Sequence, residues 1–489
     1  MPGLLGAIAR GRDAPLYQQL RKAIEQEVAA GNFDPAAPLP SSRELARQLG
    51  ISRNTANSAY QELIAQGLID SQPRRGLFVN ARMLAAARVT VAPEARGAVN
   101  WDRHLRQAPD HGIPEIAKVT DWHRYEYPFV AGQVEAATFP RLAWARCLRE
   151  ALEPPHLHYS LRDGIDEDDP LLLEMLCKHV LPSRGLDVDP SQVLITSGSQ
   201  QGLDLLASTL LRPGDRVGFE DPGYLDARHI LIRAGAVLVP RAIDSQGLIP
   251  GGSTEAMRLL YLTPSHQSPT NVTLSIERRR TLLAQAAQSD SLIVEDDYDS
   301  EFRYQGSPTL ALKALPGGER VIYLGTFSKF LAPGLRIGYL VGEPELVSEL
   351  RRQRRYRVRH TSGQLQRAMA LLIDSGHYGR TVGRRRTNLK RKWETLRDSL
   401  EQELGWGLHP PPGGVSIWVQ APPWLDAATL AERALADGIV IERGDVYFAR
   451  PDDNLNYFRM GFSAIALEAI EPGVSALARV IADLRVTSR

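Results

Sequence analysis

The chain has 489 residues, which is too long for one ordinary domain of about 100 to 200 residues and sufficient for two or three. Its 58 Lys and Arg residues balance 57 Asp and Glu residues, so any contact with nucleic acid must come from local clusters of basic residues. Hydrophobic residues make up 43% of the chain, yet no apolar run approaches the ~18 residues needed to cross a bilayer, which excludes a membrane-spanning protein.

The N-terminal region is predicted to form a small helical unit followed by a β-hairpin. Apolar residues recur every four positions between residues 16 and 30, as on one face of an amphipathic helix. A second helix (residues 41–50) and a third (residues 52–67) each begin at a serine, a preferred N-cap, and end at a glycine. For the second helix, both Ser41 and Ser42 are candidate caps. Residues 68–79 predict two short strands around a turn with the sequence Arg-Arg-Gly.

Two helices joined by a tight turn and followed by a basic hairpin are the arrangement in which the second helix enters the DNA major groove. With Ala56, Tyr60 and Leu63 turned inward, the Asn and Gln side chains of this helix lie on the opposite face, where they suit contacts with adenine. Arginines at the helix starts and in the hairpin suit phosphates. The predicted DNA-binding residues are Arg43, Ser52, Arg53, Asn54, Thr55, Asn57, Arg75 and Gly76. The alternative is a three-helix bundle with a solvated polar face.

The segments LPSSRELARQLGISRNTANSAYQEL and GLIDSQPRRGLFV resemble the winged helix-turn-helix of GntR-type bacterial regulators over nearly all of residues 14–80. The resemblance implies that residues 1–80 form a domain that binds double-stranded operator DNA. The wing departs from the family, which commonly has Gly-x-Gly where this chain has an Arg-Arg-Gly sequence. Residues 81–124 have no sustained helix or strand pattern, and we interpret them as a linker.

Beyond the linker, short β-branched runs alternate with helical stretches, which predicts a largely parallel sheet covered by helices. The predicted strands begin near residues 193, 216, 236, 259, 291, 321 and 337. Ligands of open α/β sheets collect at the carboxyl ends of the strands, so chemically suitable residues at those ends are candidate site residues.

Two of these strand ends suit a phosphorylated pyridine ring. The turn SGSQQG joins a strand to a helix, so its backbone N–H groups, with Ser199 and Gln200, can hold a phosphate. Asp296 and Tyr298 follow another strand, where a buried Asp pairs well with a protonated pyridine nitrogen and a Tyr with a phenolic oxygen. Taken alone, each segment also suits an ordinary turn or a solvated acidic loop.

Lys329 follows a third apolar strand, VIYLGTFSK, and has Arg336 seven residues after it. A lysine whose pKa is lowered by burial and by neighbouring cations can attack an aldehyde at neutral pH, so Lys329 is the candidate for a Schiff base. Arg336 would complete a phosphate cup with Thr326 and Ser328. A lone lysine is more often a surface residue, so the hypothesis depends on these neighbours.

Two further segments supply Tyr224, which can stack on a planar ring, and Arg459, whose guanidinium suits a carboxylate. The order and context of all these segments resemble aspartate-aminotransferase-like, fold-type I enzymes. Together with the GntR winged helix, they resemble the MocR/GabR family of regulators over almost the full chain.

This second resemblance implies that residues 125–489 form a fold-type I α/β domain with a mostly parallel sheet, helices on both faces and a smaller C-terminal α/β subdomain. It also implies pyridoxal 5′-phosphate as cofactor, bound to Lys329, with Asp296 at the pyridine nitrogen and Tyr298 at the phenolic oxygen. The other cofactor-binding residues that it implies are Ser199, Gln200, Tyr224, Thr326, Ser328, Arg336 and, reaching the phosphate of the neighbouring subunit, Tyr159. Arg459 would receive the effector's carboxylate.

Some features depart from the family pattern. Ser268 stands where the enzymes have an Asn that contacts the cofactor's phenolic oxygen. Asp226 stands where some relatives carry a second substrate-binding Arg, and an acid there either favours an effector with an additional ammonium group or faces solvent. An acidic loop follows Tyr159, and a basic stretch (residues 351–392) either is a solvated face or contacts bent DNA.

Three functions are compatible with these patterns. The first is a cytoplasmic, homodimeric transcription regulator that senses an amino compound, or pyridoxal phosphate itself, by Schiff-base exchange at Lys329. The second is a working aminotransferase with an ancillary DNA-binding unit. The third is an inert scaffold, which the joint presence of Lys329, Asp296, Tyr298 and Arg336 disfavours. Cys147 and Cys177 cannot build a disulfide scaffold, the N-terminal stretch lacks the pattern of an export signal, and no metal site is predicted.

Overall fold

The computed structural model of the chain describes residues 14–83, 100–105, 113–115, 118–251, 257–306 and 309–487. The chain divides into two compact units, Met1–Ala108 and Pro109–Arg489. The predicted linker falls in large part outside the described residues. Within the residues that are described, no helix combines the length and apolar character needed to cross a membrane.

The three helices and the hairpin predicted for the N-terminal unit are confirmed. Their bounds are Leu16–Ala29 (α1), Ser42–Leu49 (α2), Arg53–Ala65 (α3), Ile69–Gln72 (β1) and Gly76–Val79 (β2). The two strands are antiparallel, and the helices enclose a hydrophobic core that includes Leu20, Ile24 and Leu63.

Serine caps and a glycine define the helix-turn-helix. Ser41 Oγ accepts a hydrogen bond of 3.2 Å from the N–H of Glu44, so Ser41 is the cap of α2. Ser52 Oγ accepts the corresponding bond at the start of α3, at 3.0 Å. Such a cap contributes about 0.5–2 kcal/mol to helix stability. Gly50 ends α2 at φ +63°, a left-handed conformation that costs glycine little, and the short turn to Ser52 follows from it.

The second unit is built on one eight-stranded sheet. After a short strand, Tyr127–Pro128 (β3), its strands are Val193–Thr196 (β4), Arg216–Asp221 (β5), Val237–Asp244 (β6), Gly247–Leu248 (β7), Leu259–Leu262 (β8), Leu292–Asp297 (β9), Val321–Thr326 (β10) and Gly338–Val341 (β11). The strand order is β4-β11-β10-β9-β8-β5-β6-β7. Strands β10, β9, β8, β5 and β6 run parallel, whereas β11 is antiparallel to both of its neighbours. The seven predicted strands are confirmed, and the short β7 was not predicted.

Helices cover both faces of this sheet. They are Arg141–Glu150 (α4), Pro154–Leu161 (α5), Pro170–Met175 (α6), Ser199–Leu210 (α7), Leu225–Arg233 (α8), Ile276–Gln288 (α9), Pro344–Val358 (α10) and Gly363–Asp374 (α11). In β4, Val193 and Ile195 pack into one hydrophobic cluster and Leu194 into another. Because side chains alternate between the faces of a strand, both faces of the sheet are buried, as in other parallel sheets.

A smaller α/β subdomain ends the chain. Its elements are His377–Leu404 (α12), Ser416–Gln420 (β12), Ala427–Ala436 (α13), Ile439–Val440 (β13), Glu442–Arg443 (β14), Tyr457–Gly461 (β15) and Ile470–Thr487 (α14). Strands β12, β15 and β14 form an antiparallel sheet in which Arg459 lies between Trp418 and Glu442. The subdomain predicted by the family resemblance is therefore present.

The acidic loop after α5 and the basic stretch of residues 351–392 pair with each other. Asp168, fully buried, forms ion pairs with Arg354 at 2.6 Å and Arg351 at 3.3 Å. Asp169 pairs in the same way with Arg367 at 2.8 Å. Arg351, Arg354 and Arg367 of the basic stretch are thus paired with buried carboxylates of the same domain. Since Arg354 has no exposed side-chain surface, it cannot serve the suggested DNA contact.

Candidate functional site

A cavity of about 230 Å³ lies where the predicted strand ends meet. Every predicted cofactor-binding residue except Tyr159 lines it, and so does Arg459. The cavity receives residues from the carboxyl ends of β4, β5, β9 and β10, because parallel strands bring those ends to one edge of the sheet. The candidate residues were predicted at the ends of these strands, and the strand ends meet at this edge of the sheet.

The amine of Lys329 lies within this cavity, directly against Gly132. A Cβ atom at Gly132 would lie only 2.7 Å from Nζ, and the φ of +79° at this residue also favours glycine. Burial and, to a smaller extent, the positive charge of Arg459 lower the pKa of Lys329 to about 8, although Asp299 acts in the opposite direction. A lysine with this pKa carries a useful fraction of neutral amine near pH 7 and can attack an aldehyde.

We expect the uptake of pyridoxal phosphate by cofactor-free protein to depend on this pKa. Below about pH 8 the rate should rise about tenfold per pH unit, because only the neutral amine of Lys329 is nucleophilic; above it the rate should level off. Stopped-flow absorbance between pH 6.5 and 10 measures the rate, with N-acetyl-lysine amide as the reference amine. A rate that climbs without a plateau to pH 10 would show an ordinary lysine.

Asp296 offers an acceptor for a protonated ring nitrogen. Its Oδ2 accepts a 2.7 Å hydrogen bond from the Tyr261 hydroxyl, whereas its buried Oδ1 has no partner among the described residues. Burial raises the pKa of Asp296 to about 6, so a cationic partner is needed to hold the charged form firmly at neutral pH. Tyr298 likewise has a buried hydroxyl without a partner in the described chain. These orphaned polar atoms fit a pyridine nitrogen and a phenolic oxygen.

The neighbouring acids have structural roles. Glu295 accepts hydrogen bonds from the N–H groups of Leu312 and Lys313, and Asp297 pairs with Arg184 at 2.8 Å. Successive residues of β9 alternate between the faces of the sheet, so Asp296 points into the cavity and its two neighbours point away from it. Of these three consecutive acids, only Asp296 is therefore a candidate to bind the cofactor, whereas Glu295 and Asp297 stabilise the fold.

The phosphate end of the cavity is formed by the start of α7 and by Arg336. The helix follows Gly198, at φ +85°, and its first N–H groups, from Ser199 onward, have no acceptor within the helix. Arg336 Nη2 donates to the carbonyl of Ser197 at 3.0 Å, and a Cβ at Gly198 would lie 2.9 Å from the same nitrogen. Open N–H groups, a helix N-terminus and a guanidinium together fit a phosphate.

The C-terminal subdomain adds Arg459 and residues that the sequence did not single out. Arg459 Nε donates to Ser416 Oγ at 2.8 Å, and Nη1 lies 3.4 Å from the Tyr447 hydroxyl and 3.7 Å from Glu442 Oε2. Tyr447 and Glu442 also line the cavity. Tyr447 and Glu442 reach the cavity through strand pairing and a loop contact, and no local sequence pattern predicts either of these. Lys118 lines the cavity as well, although it belongs to the segment interpreted as a linker.

Two of the residues that depart from the family pattern, Ser268 and Asp226, also line this cavity. Ser268 lines it beside a cis peptide bond to Pro269. Asp226 Oδ2 accepts a 3.0 Å hydrogen bond from the Tyr224 hydroxyl, so the carboxylate is directed toward the cavity wall. Asp226 therefore does not simply face solvent.

Tyr159 lies outside the cavity. Its ring packs against the guanidinium groups of Arg367, 4.2 Å from the ring centre, and Arg162, at 5.1 Å. Within one chain, Tyr159 therefore does not line the cavity, and its contact with the neighbouring subunit's phosphate stays a prediction.

The predicted DNA-binding residues lie on the surface of the N-terminal unit. In α3, Ala56, Tyr60 and Leu63 are buried, whereas Asn54 and Asn57 are exposed on the other face. The remaining exposed candidates are Arg43, Ser52, Arg53, Arg75 and Gly76. Thr55 is half-buried, and its hydroxyl lies 2.8 Å from Ser52 Oγ, so this pair serves the helix cap.

Comparison with known families divides the chain in the same way. Residues 16–79 match the gntR family of bacterial regulatory proteins, and residues 143–477 match aminotransferase class I and II. The HTH-type transcriptional regulator TauR of Rhodobacter capsulatus is 38% identical over 97% of this chain and 98% of its own. The pyridoxine biosynthesis transcriptional regulator PdxR of Corynebacterium glutamicum is 32% identical over 85% of this chain and 86% of its own.

Solved aminotransferase structures share the fold of the second unit. The α-aminoadipate aminotransferase LysN of Thermus thermophilus, complexed with N-(5′-phosphopyridoxyl)-L-leucine, has a TM-score of 0.72 and 26% identity, covering 80% of this chain and all of its own. The kynurenine aminotransferase of Pyrococcus horikoshii, in complex with PMP, has a TM-score of 0.69 and 28% identity, covering 80% of this chain and 98% of its own. Both bind a pyridoxal-type cofactor.

Proposed function

The chain belongs to the MocR-like family of transcriptional regulators, which join a GntR helix-turn-helix to an aminotransferase-like domain, and we propose that it binds operator DNA and responds to a small amino compound. The observation that carries the proposal is the joint presence of an exposed recognition helix and of a cavity in which Lys329 and Arg459 meet. Such a protein works on DNA in the cytoplasm.

Bound pyridoxal 5′-phosphate supplies an aldehyde that condenses with amines and a ring that withdraws electrons. Lys329 provides the protein's own amine. Asp296 would hold the proton on the pyridine nitrogen through Oδ1, Tyr298 would donate to the phenolic oxygen, and Arg336 with the start of α7 would bind the phosphate. The lining of the cavity supports each of these assignments.

An amino compound that takes the place of the Lys329 amine would free this side chain, and Arg459 would hold the compound's acidic group. Contacts around the cavity then differ between the two states, and only such a difference can shift a conformational equilibrium. We propose that this shift changes the affinity of the DNA-binding units for the operator.

A homodimer is part of the proposal. Three leucines on α4 and α5, Leu142, Leu157 and Leu161, are exposed by 79%, 37% and 69%. Large exposed apolar side chains on consecutive helices favour an association surface. Tyr159 lies on the same α5, so a partner docked there would receive the ring predicted to reach its phosphate site.

Replacing Asn57 by alanine is expected to weaken operator binding by about 1–3 kcal/mol, the discrimination carried by one bidentate base contact. The measurement is fluorescence anisotropy with a duplex selected from a random pool by the wild-type protein. Asn32→Ala, an exposed Asn outside α3, is the control and should bind normally. Equal affinity of the Asn57 variant and the wild type would remove this residue from the recognition surface.

The second candidate function is a working aminotransferase, which the pKa of Lys329 near 8 permits because a lysine of this pKa can transfer protons. Holoprotein is mixed with an amino donor and a keto acid, and product formation and operator binding are both followed. A regulator should change its spectrum once, without continued product formation, and should change its operator affinity. Many turnovers per site with unchanged operator affinity would instead identify an enzyme.

A further inference from the structure

Part of the cavity wall presents a cation and a carboxylate side by side. Glu442 of β14 and Arg459 of β15 are direct cross-strand partners, with Oε2 3.7 Å from Nη1. The Tyr447 hydroxyl lies 3.4 Å from both side chains. Both charged side chains are largely buried, with 11% exposure for the Arg and 16% for the Glu. Because 3.7 Å exceeds a hydrogen bond, each group retains capacity for a ligand.

A second carboxylate lies near this pair. Gly223, beside Tyr224, donates its N–H to the carbonyl of Tyr447 at 2.9 Å, which brings the Tyr224–Asp226 segment next to the wall formed by Glu442 and Arg459. Asp226 is oriented by the hydroxyl of Tyr224. Both acids line the cavity, on segments that this hydrogen bond joins.

The charges that line the cavity can be divided by their role. The charged side chains lining it within the described chain are Lys118, Lys329, Arg336, Arg459, Asp226, Asp296 and Glu442. If the proposed function holds, Lys329, Arg336 and Asp296 serve the cofactor. The remaining four are two cations and two carboxylates, so this part of the wall has no formal net charge.

Such a wall disfavours an effector whose only distal group is an anion. A single carboxylate on Arg459 would also face Glu442, and like charges at short range in a buried site repel strongly. An ammonium next to that carboxylate pairs with Glu442 instead and restores neutrality. The combination of a carboxylate and an ammonium on one carbon is the head group of an α-amino acid.

We propose that the effector carries an α-amino-acid head group in addition to the amine that exchanges with Lys329, with Arg459 binding the carboxylate and Glu442 the ammonium. The effector class is thus a diamino acid. This inference rests on the proposed function and deepens it, and Glu442 becomes the specificity-determining residue.

Three matched probes test the inference on the full-length holoprotein. Ornithine carries the complete head group, 5-aminopentanoate lacks only its ammonium, and putrescine lacks only its carboxylate. Titrations followed by the visible spectrum should give an apparent Kd for ornithine at least about tenfold lower than for either analogue, since one buried charged contact contributes on this scale. No variant protein is needed for this comparison.

Glu442→Gln should remove the advantage of ornithine over 5-aminopentanoate, and Asp226→Asn should reduce it. Glu432→Gln, on the exposed surface of α13, is the control and should preserve it. An unchanged cofactor spectrum in each variant shows that the site is intact. Tighter binding of 5-aminopentanoate than of ornithine by the wild type, or an unaltered preference in the Glu442 variant, would overturn the inference.

The outcomes separate this inference from the proposed function. A spectral and operator response to taurine or to 5-aminopentanoate, but not to ornithine, overturns the head-group assignment alone. If no amino compound changes either the spectrum or operator binding, the sensing function falls and this inference falls with it.

Discussion

The Lys329→Ala variant is expected to lose covalent attachment of pyridoxal phosphate completely. We place the covalent bond here because the amine of Lys329 is buried in the cavity against Gly132 and its pKa is lowered to about 8. After incubation with the cofactor and reduction with borohydride, mass spectrometry of the peptides should find the adduct on Lys329 in the wild type and no adduct in the variant. The visible band of the bound cofactor should disappear in parallel.

The same cavity contains a second lysine amine, so the experiment can distinguish between two candidate attachment sites. Lys118 also lines the cavity, but it is exposed. Reduction that labels Lys118 in the wild-type protein would contradict the assignment. Lys390→Ala, an exposed lysine of α12 outside the cavity, is the control and should be labelled at Lys329 as the wild type is. The Lys329 variant should still bind operator DNA but should no longer respond to amino compounds.

The second large effect concerns stability. Replacing Asp168 by asparagine is expected to destabilise the second unit by about 3–5 kcal/mol, the cost of removing one partner of a buried ion pair. Asp168 compensates the fully buried Arg354 and also accepts a hydrogen bond from the N–H of Ile195 in β4. Two of the guanidinium nitrogens of Arg354, Nε and Nη2, already have no partner within the described residues, so little compensation would remain.

Urea unfolding followed by tryptophan fluorescence measures this change, because six of the seven tryptophans lie in the second unit. Asp163→Asn is the matched control, since Asp163 pairs with Arg359 on the surface and solvent screens that pair. Its effect should be much smaller. Similar effects of the two substitutions would show that the buried network contributes no more than a surface pair.

The elements and most candidate site residues could be predicted because their signals are local. Strand runs, N-cap serines and the glycine at residue 50 each depend on a few neighbouring residues, and strand ends of a parallel sheet converge by topology. Asp296 and Lys329 were found in this way. Their roles remain predictions, but their convergence in one cavity is a property of the fold.

What the sequence could not predict depends on contacts between distant segments. Glu442 reaches Arg459 through strand pairing in the small subdomain, and Tyr261 reaches Asp296 from a neighbouring strand. Lys118 lies in an aperiodic segment where no pattern predicts its position. The pairing of charged residues could not be predicted for the same reason. The acidic loop and the basic stretch are both evident in the sequence, but only the fold shows that Asp168 and Arg354 neutralise each other.

The antiparallel course of β11 places two critical side chains on a single loop. Residues 328–336 form one return between adjacent strands, clamped at its base by the hydrogen bond from Phe327 N–H to the Ile337 carbonyl at 3.1 Å. Lys329 sits near its beginning and Arg336 at its end. Under the proposed roles, the side chain that binds the aldehyde and the side chain that binds the phosphate lie on one nine-residue loop, so a displacement of Lys329 can be transmitted along the backbone to Arg336.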